Sequence, residues 1–169
     1  MEVPVTIYTI GYGNRPIEAF IALLHQYEIT HLADTRSVPY SRYRPAYRKN
    51  TLKTHLETAK IGYEYLGDRL GGRPASPACY TDGQVDYAKI RQQAFFQAGL
   101  AHLLELAERQ CLAILCAELR PQNCHRTHLI GAALSETGVI VLHVDETGQP
   151  LPHRQVAAQK VETQLRLLP

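Results

Sequence analysis

The sequence predicts an α/β fold: a single domain over residues 1–169, with a mostly parallel sheet of about five strands and helices on both faces. Three observations carry this. Short runs rich in β-branched and aliphatic residues recur along the chain, separated by segments with apolar residues at helical spacing, the alternation expected of strand–helix–strand crossovers. The run Cys111–Cys116 is apolar throughout rather than alternating, as a strand covered on both faces would be, although a core helix can carry the same pattern. Glycine, proline and asparagine gather between the runs, where turns belong. With 45% hydrophobic residues in a chain of 169, there is enough apolar material for one core.

The elements follow in order. Val5–Ile10 predicts the first strand, stopped by Gly11-Tyr12-Gly13. A helix comes next, with Asn14 as its cap, Pro16 in its first turn, and Ile17, Phe20, Ile21 and Leu24 on one face; Tyr27 ends it. Ile29–Ala33 is a second strand that delivers Asp34, Thr35 and Arg36 at its carboxyl end. Pro39 and Pro45 make the following segment irregular, before a helix over about residues 51–59 and a third strand in Gly62–Leu66. Residues 67–83, rich in glycine and proline, predict a long loop of the kind that carries function. Residues 84–109 are helical, with a break near Gly99. Cys111–Cys116 and Val139–Val144 are the fourth and fifth strands. Glu146–Pro150 is a turn, and Ala157, Val161, Leu165 and Leu168 are the apolar stripe of a closing helix.

No stretch approaches the roughly 20 apolar residues that cross a bilayer, and Met1-Glu2-Val3-Pro4 is no secretory leader, so the expectation is a cytoplasmic protein without membrane contact. Four cysteines without a regular framework read as reduced thiols. A net charge of +2 identifies no partner; its distribution matters more.

Cys116-Ala-Glu118-Leu-Arg-Pro121-Gln-Asn-Cys124-His125-Arg126 is the richest stretch chemically. Asn123 is a plausible helix cap, with Leu129, Ile130, Ala133 and Leu134 at helical spacing behind it, which puts Cys124, His125 and Arg126 in the first turn. Free backbone N–H groups there favour an anion and pull a cysteine toward thiolate. The alternative is a small buried cysteine beside surface polar residues. Cys116 and Cys124 are candidate nucleophiles, Glu118 a candidate proton carrier, and Asp34 and Arg36 either pair with each other or hold a substrate. The three strand ends at Gly11, Asp34 and Cys116 are expected to converge on one cleft, where open α/β sheets bind ligands, with Arg36 and Arg126 facing it.

Spacing bears on several other chemistries. Cys116, Glu118, Cys124, His125 and His128 are competent metal ligands, but no Cys-x-x-Cys or His-Glu-x-x-His pattern is present, so no metal and no cofactor is expected. The phosphatase loop Cys-x5-Arg is absent: Gln122 and Ile130 stand six residues past the two cysteines. A reversible disulfide between Cys116 and Cys124 stays open. Gly11-Tyr12-Gly13 begins like a dinucleotide loop, yet Pro16 takes the place of the third glycine, and a purely structural turn fits equally. Arg36, Arg42, Arg44, Arg48 and Lys49, interleaved with Tyr40, Tyr43 and Tyr47, suit nucleic acid or else form a solvated loop. His143 and His153 read as surface residues.

The runs Thr9–Arg15, Asp34–Ser41, Tyr65–Arg73, and Leu115–Glu118 continuing through Cys124-His125-Arg126 together make a pattern. By it the chain resembles, over nearly its whole length, the widespread and mainly bacterial family catalogued as domain of unknown function four hundred and eighty-eight. The resemblance implies a compact cytosolic α/β fold and carries over no reaction, cofactor or substrate. The residues themselves then lead to a small enzyme acting on a phosphate-bearing substrate, a nucleotide or nucleic acid. Its catalytic candidates are Cys116, Glu118, Cys124 and Asp34. Gly11, Tyr12, Arg15, Arg36, Ser41, Arg42, Arg73, His125 and Arg126 are expected to hold the substrate. The alternatives are a noncatalytic nucleic-acid or nucleotide-binding module and a thiol redox or metal sensor.

Overall fold

A six-stranded sheet in the order β3-β2-β6-β1-β7-β8 organises the computed structural model, which describes residues 3–166. The strands are β1 (Thr6–Gly11), β2 (His31–Asp34), β3 (Gly62–Tyr65), β6 (Leu112–Cys116), β7 (Ile140–Val144) and β8 (Pro150–Pro152). A separate hairpin is formed by β4 (Tyr80–Thr81) and β5 (Gln84–Val85). The first five strands of the large sheet are parallel, and β8 alone runs antiparallel, beside β7. Every residue of β6 is buried, which explains its unbroken apolar run: it lies at the centre of the sheet with helices above and below.

Helices α1 (Ile17–Gln26) and α2 (Lys49–Thr58) cover one face, packing Phe20, Leu24, Leu52 and Leu56 against Ile10, Leu32, Ala113 and Leu115. The other face takes α3 (Gly67–Leu70), α4 (Tyr87–Arg91), α5 (Ala94–Arg109) and a π-helical stretch, Arg126–Gly131, that runs into α6 (Ala132–Ser135). These elements bury Leu70, Ile90, Phe96, Leu103, Leu129 and Ile130 against Ile7, Leu112 and Ile114. The alternation of side chains along β6 thus feeds two cores, one per face. Helix α7 (His153–Arg166) closes the chain; Val161, Leu165 and Leu168 of its expected stripe lie outside the residues whose side chains are described. No helix among the described residues is long and apolar enough to cross a membrane.

Where the elements differ from expectation, the reasons are local. Asn14 does not cap α1: Pro16 holds the cap position at ψ 149° with no side-chain bond. Glycine 99 does not break α5. A side chain there would press within 2.9 Å of Arg69 and Leu70, so this glycine lets α5 approach α3, and the break falls earlier, between α4 and α5. The long loop holds α3 and β4, and the β4–β5 hairpin, whose Asp82-Gly83 turn has both residues at positive φ, runs on through Gln84 and Val85, so the helical segment expected from residue 84 starts only at Tyr87, capped by Asp86. Residues 150–152, expected to follow a turn, pair with Val144, His143 and Leu142; prolines are tolerated because this strand is the edge.

Register sets the site. Gly11 is level with Cys116 across β1 and β6, and Asp34 is level with Leu115 across β2 and β6. The connections leaving β1 and β6 also run in opposite directions along the sheet, to β2 and to β7, which makes their carboxyl ends a switch point.

Candidate functional site

An open cleft of about 410 Å³ sits beyond those strand ends. Its lining includes Cys116, Ala117 and Glu118 after β6, Asn123, Cys124 and His125 before the π-helical stretch, Arg36, Ser37 and Val38 after β2, Gly72 and Arg73 after α3, and Val85 with Tyr87. Pro121–Asn123 forms a 3₁₀ turn that folds the chain back so that Cys124 faces Cys116. The helix cap lies one residue beyond Asn123. Cys124 is extended (φ −125°, ψ 149°), its carbonyl accepts from the N–H groups of Thr127 and His128, and its sulfur accepts from the N–H of Arg126 at 3.4 Å.

The Cys116 and Cys124 sulfurs are in disulfide contact, with Cα atoms 7.5 Å apart. His125 stands beside both, its Nδ1 lying 3.8 Å from the Cys116 sulfur and 3.5 Å from that of Cys124. The other ring nitrogen decides the tautomer. Nε2 lies 3.1 Å from the carbonyl oxygen of Thr35, which can only accept, so Nε2 carries the proton and Nδ1 presents a bare lone pair to the sulfurs. Burial, opposed by that hydrogen bond and aided by the charge of Arg126, pushes His125 down to about 4, so the ring is neutral at physiological pH. Gly72 packs against this side chain; a Cβ there would stand 3.0 Å from His125 Cβ and Cγ. Glu118 is exposed at the cleft wall, and its N–H reaches the Cys116 sulfur at 3.4 Å.

Asp34 and Arg36 pair with each other. The guanidinium meets both carboxylate oxygens, from Nε at 2.9 Å and Nη2 at 2.7 Å, and Nη1 donates to the Tyr47 carbonyl at 2.7 Å. Both residues are buried, Tyr63 adds a hydroxyl donor to Asp34 at 2.6 Å, and Tyr12, stacked on Tyr47 at 4.2 Å, lies 5.4 Å from the Arg36 guanidinium. Arg36 therefore lines the cleft with its charge already matched.

Arg126 turns the other way. Its side chain is fully buried and does not line the cleft, contrary to the expectation that it would face the cysteines. Nη1 donates to Thr9 Oγ1 at 2.9 Å, Nη2 to the Leu119 carbonyl at 3.1 Å, and both reach the Val144 carbonyl at 3.3 Å. Arg126 only donates, so the Thr9 hydroxyl keeps its own proton for His143 Nδ1 at 2.6 Å; in that tautomer His143 carries a proton on Nε2 and donates it to His153 Nδ1 at 2.9 Å. Burial, with Arg15 adding repulsion and Glu118 partly offsetting it, pushes Arg126 down to about 9, still cationic at neutral pH. Burial, the charge of Arg126, and His153 and His128 push His143 down to about 2. His143, expected at the surface, is fully enclosed, and Gly131 leaves room for it.

The remaining expected residues divide. Gly11 and Gly13 serve packing: a Cβ on Gly11 would overlap the Glu118 carbonyl, Gly13 has φ +48°, and the N–H groups of Tyr12 and Gly13 bond the Cys116 and Ala117 carbonyls. Arg15 bonds the carbonyls of Gly11 and Asp145. Ser41 caps its own turn by accepting from the Arg44 N–H at 3.0 Å. Arg42 is exposed, 5.8 Å from the ring of Tyr43, and Arg73 is exposed on the cleft wall, its N–H bonded to Ser37 Oγ at 2.9 Å. Sequence reasoning missed Thr35, whose contribution is a backbone carbonyl and leaves no side-chain signal. It also missed Ser37, Gly72 and Tyr87 on the walls.

The cleft, with its two paired sulfurs and an imidazole at the switch point of a parallel sheet, belongs to a single-domain α/β protein. Residues 16–133 match the family described as domain of unknown function DUF488, and the chain belongs to that family. No curated protein and no solved structure matches it.

Proposed function

We propose that the chain is an enzyme acting in this cleft on a phosphate-bearing substrate, a nucleotide or nucleic acid. The observation that carries the reading is His125: its outer nitrogen is tied to a backbone carbonyl, and its inner lone pair faces two sulfurs at the floor of an open cleft. This is the arrangement of a reactive group, a base and an orienting partner that catalysis at a thiol centre needs. Glu118 at the wall is the proton carrier. With Arg36 and Arg126 engaged internally, the substrate's phosphates fall to Arg73 and to the adjoining segment. There Tyr43 and Tyr40 are 85% and 56% exposed and lie beside the guanidinium groups of Arg42 and Arg48.

The test is a titration with nucleotides, single strands and duplexes at two salt concentrations, followed by turnover assays on whichever ligand binds. Affinity should fall steeply with salt, and Cys116→Ser, Glu118→Gln and His125→Ala should each lose most turnover while keeping affinity. Salt-independent binding, or full turnover in all three variants, removes the reading.

The contact between the two sulfurs favours a second reading, a dithiol–disulfide redox centre. Thiol titration before and after mild oxidation decides it: a reversible loss of two thiols supports it, and no loss sinks it.

A further inference from the structure

We propose that in the reduced protein Cys116, Cys124 and His125 form a binding site for a zinc-class divalent cation, with the fourth position open to the cleft. The binding stands on geometry alone; only the use of the ion rests on the proposed function.

The donor atoms of these three residues lie within 4.8 Å of one another, close enough to share one ion. Tetrahedral zinc, with metal–sulfur bonds of about 2.3 Å and metal–nitrogen bonds of about 2.0–2.1 Å, holds sulfur and nitrogen ligands about 3.6 Å apart. His125 Nδ1 stands 3.8 and 3.5 Å from the two sulfurs. The Cα atoms of the cysteines are 7.5 Å apart. Disulfides usually span about 4.4–6.8 Å, so the backbone is set wider than a cystine needs, and once reduction separates the two sulfurs this spacing suits an ion held between them.

Each donor also has the partner that a ligand requires. The Cys116 sulfur accepts the N–H of Glu118, two residues on, at 3.4 Å, and the Cys124 sulfur accepts the N–H of Arg126, two residues on, at 3.4 Å. The two thiols are thus presented in the same local geometry, each with a backbone donor that stabilises thiolate. His125 gives its Nε2 proton to the Thr35 carbonyl, which fixes the ring with Nδ1 as the free donor atom, as metal-binding histidines are fixed.

Two thiolates with one imidazole select zinc over magnesium or calcium. Glu118, on the same loop, lines the same cleft, and with an ion held by the three donors it would serve as the carboxylate for a proton of a water at the open position. Loading from the disulfide state is balanced by a dithiol reductant. The S–S bond breaks, two electrons and two protons from the reductant give two thiols, and the reductant leaves as its own disulfide. The cation then displaces the two thiol protons.

The experiment titrates the full chain, reduced and metal-free, with cobalt(II) and with zinc in competition against a chromogenic chelator. The expected result is one equivalent per chain and a sulfur-to-cobalt charge-transfer band of two thiolates. Cys116→Ser, Cys124→Ser and His125→Ala should each weaken zinc by at least about 100-fold, the upper end of what losing even an outer partner costs. Cys111→Ser should change nothing. Mild oxidation should abolish the band and remove two thiols together. Absence of uptake at micromolar protein and metal overturns the proposal, as does a band that survives in Cys116→Ser and His125→Ala. If the serine variants do not fold, the wild-type cobalt spectrum decides by its count of sulfur ligands. A chain that binds metal but no nucleotide or oligonucleotide keeps this site and loses the substrate reading; the reverse result loses the site alone.

Discussion

His125 and Arg126 are adjacent in the chain and belong to opposite regions of the molecule. His125 faces a solvent-open cleft, where its Nδ1 lone pair meets two sulfurs. Arg126 faces a sealed interior, where its donors are matched by Thr9, Leu119 and Val144, except for Nε, which has no hydrogen-bond partner. Polar groups inside the sheet–helix sandwich are nearly all paired, so they specify structure. In the cleft, Arg36 is paired in the same way, but His125 Nδ1 keeps a lone pair facing the sulfurs, and that capacity is available for chemistry. The difference teaches that charge at a strand end is no guide to function until its partners are known.

The contrast can be broken by substitutions on its two sides. The largest effect should come from Asp34→Ala, which strands the buried Arg36 guanidinium and should cost about 3–5 kcal/mol in denaturant unfolding; a loss under about 1 kcal/mol would mean that the pair is solvated. Next, Thr9→Val removes the hydroxyl between Arg126 and His143 and should cost about 1–3 kcal/mol by the same measurement. His143 sharpens the comparison through pH. Its folded pKa of about 2 lies below the unfolded value near 6.5, so only the unfolded chain binds the proton between them. Its stabilisation is full above pH 6.5 and falls by about 1.4 kcal/mol per pH unit as pH drops toward about 2. In His143→Gln the acid limb should be shallower by that slope over pH 6.5–4, and an unchanged limb would place the titration elsewhere.

On the cleft side, His125→Ala should leave unfolding within about 1 kcal/mol of wild type while slowing alkylation of the reduced, metal-free thiols several-fold at neutral pH. Equal rates would remove His125 as their base. The smallest expected effect is that of Arg42→Ala, neutral for stability within about 0.5 kcal/mol but lowering the salt slope of nucleic-acid binding by about 1.

The parallel core of this fold was readable because β1, β2, β3, β6 and β7 are short apolar or β-branched runs separated by helical periods. The convergence of Gly11, Asp34 and Cys116 at one edge followed from strand direction alone, and register bears it out. What was not readable depended on partners distant in sequence. β8 hides in a proline-bearing stretch that pairs only because β7 offers it an edge. Gly99 looked like a helix breaker, yet its small size matters for the approach of α3. The inward turn of Arg126 is held by acceptors that lie elsewhere in the chain, Thr9 on β1, Val144 on β7 and the Leu119 carbonyl, which the local sequence around Arg126 does not announce. The closeness of Cys116, Cys124 and His125 arises from a 3₁₀ turn rather than a recognisable ligand spacing.

The prolines of β8 also bear on how the molecule meets others of its kind. Pro150 and Pro152 have no amide hydrogen to offer, so the border they form is a poor template for another chain's backbone. The opposite border, β3, carries no proline. Any growth of the sheet by an incoming strand is therefore directed to the Gly62–Tyr65 side, away from the prolines.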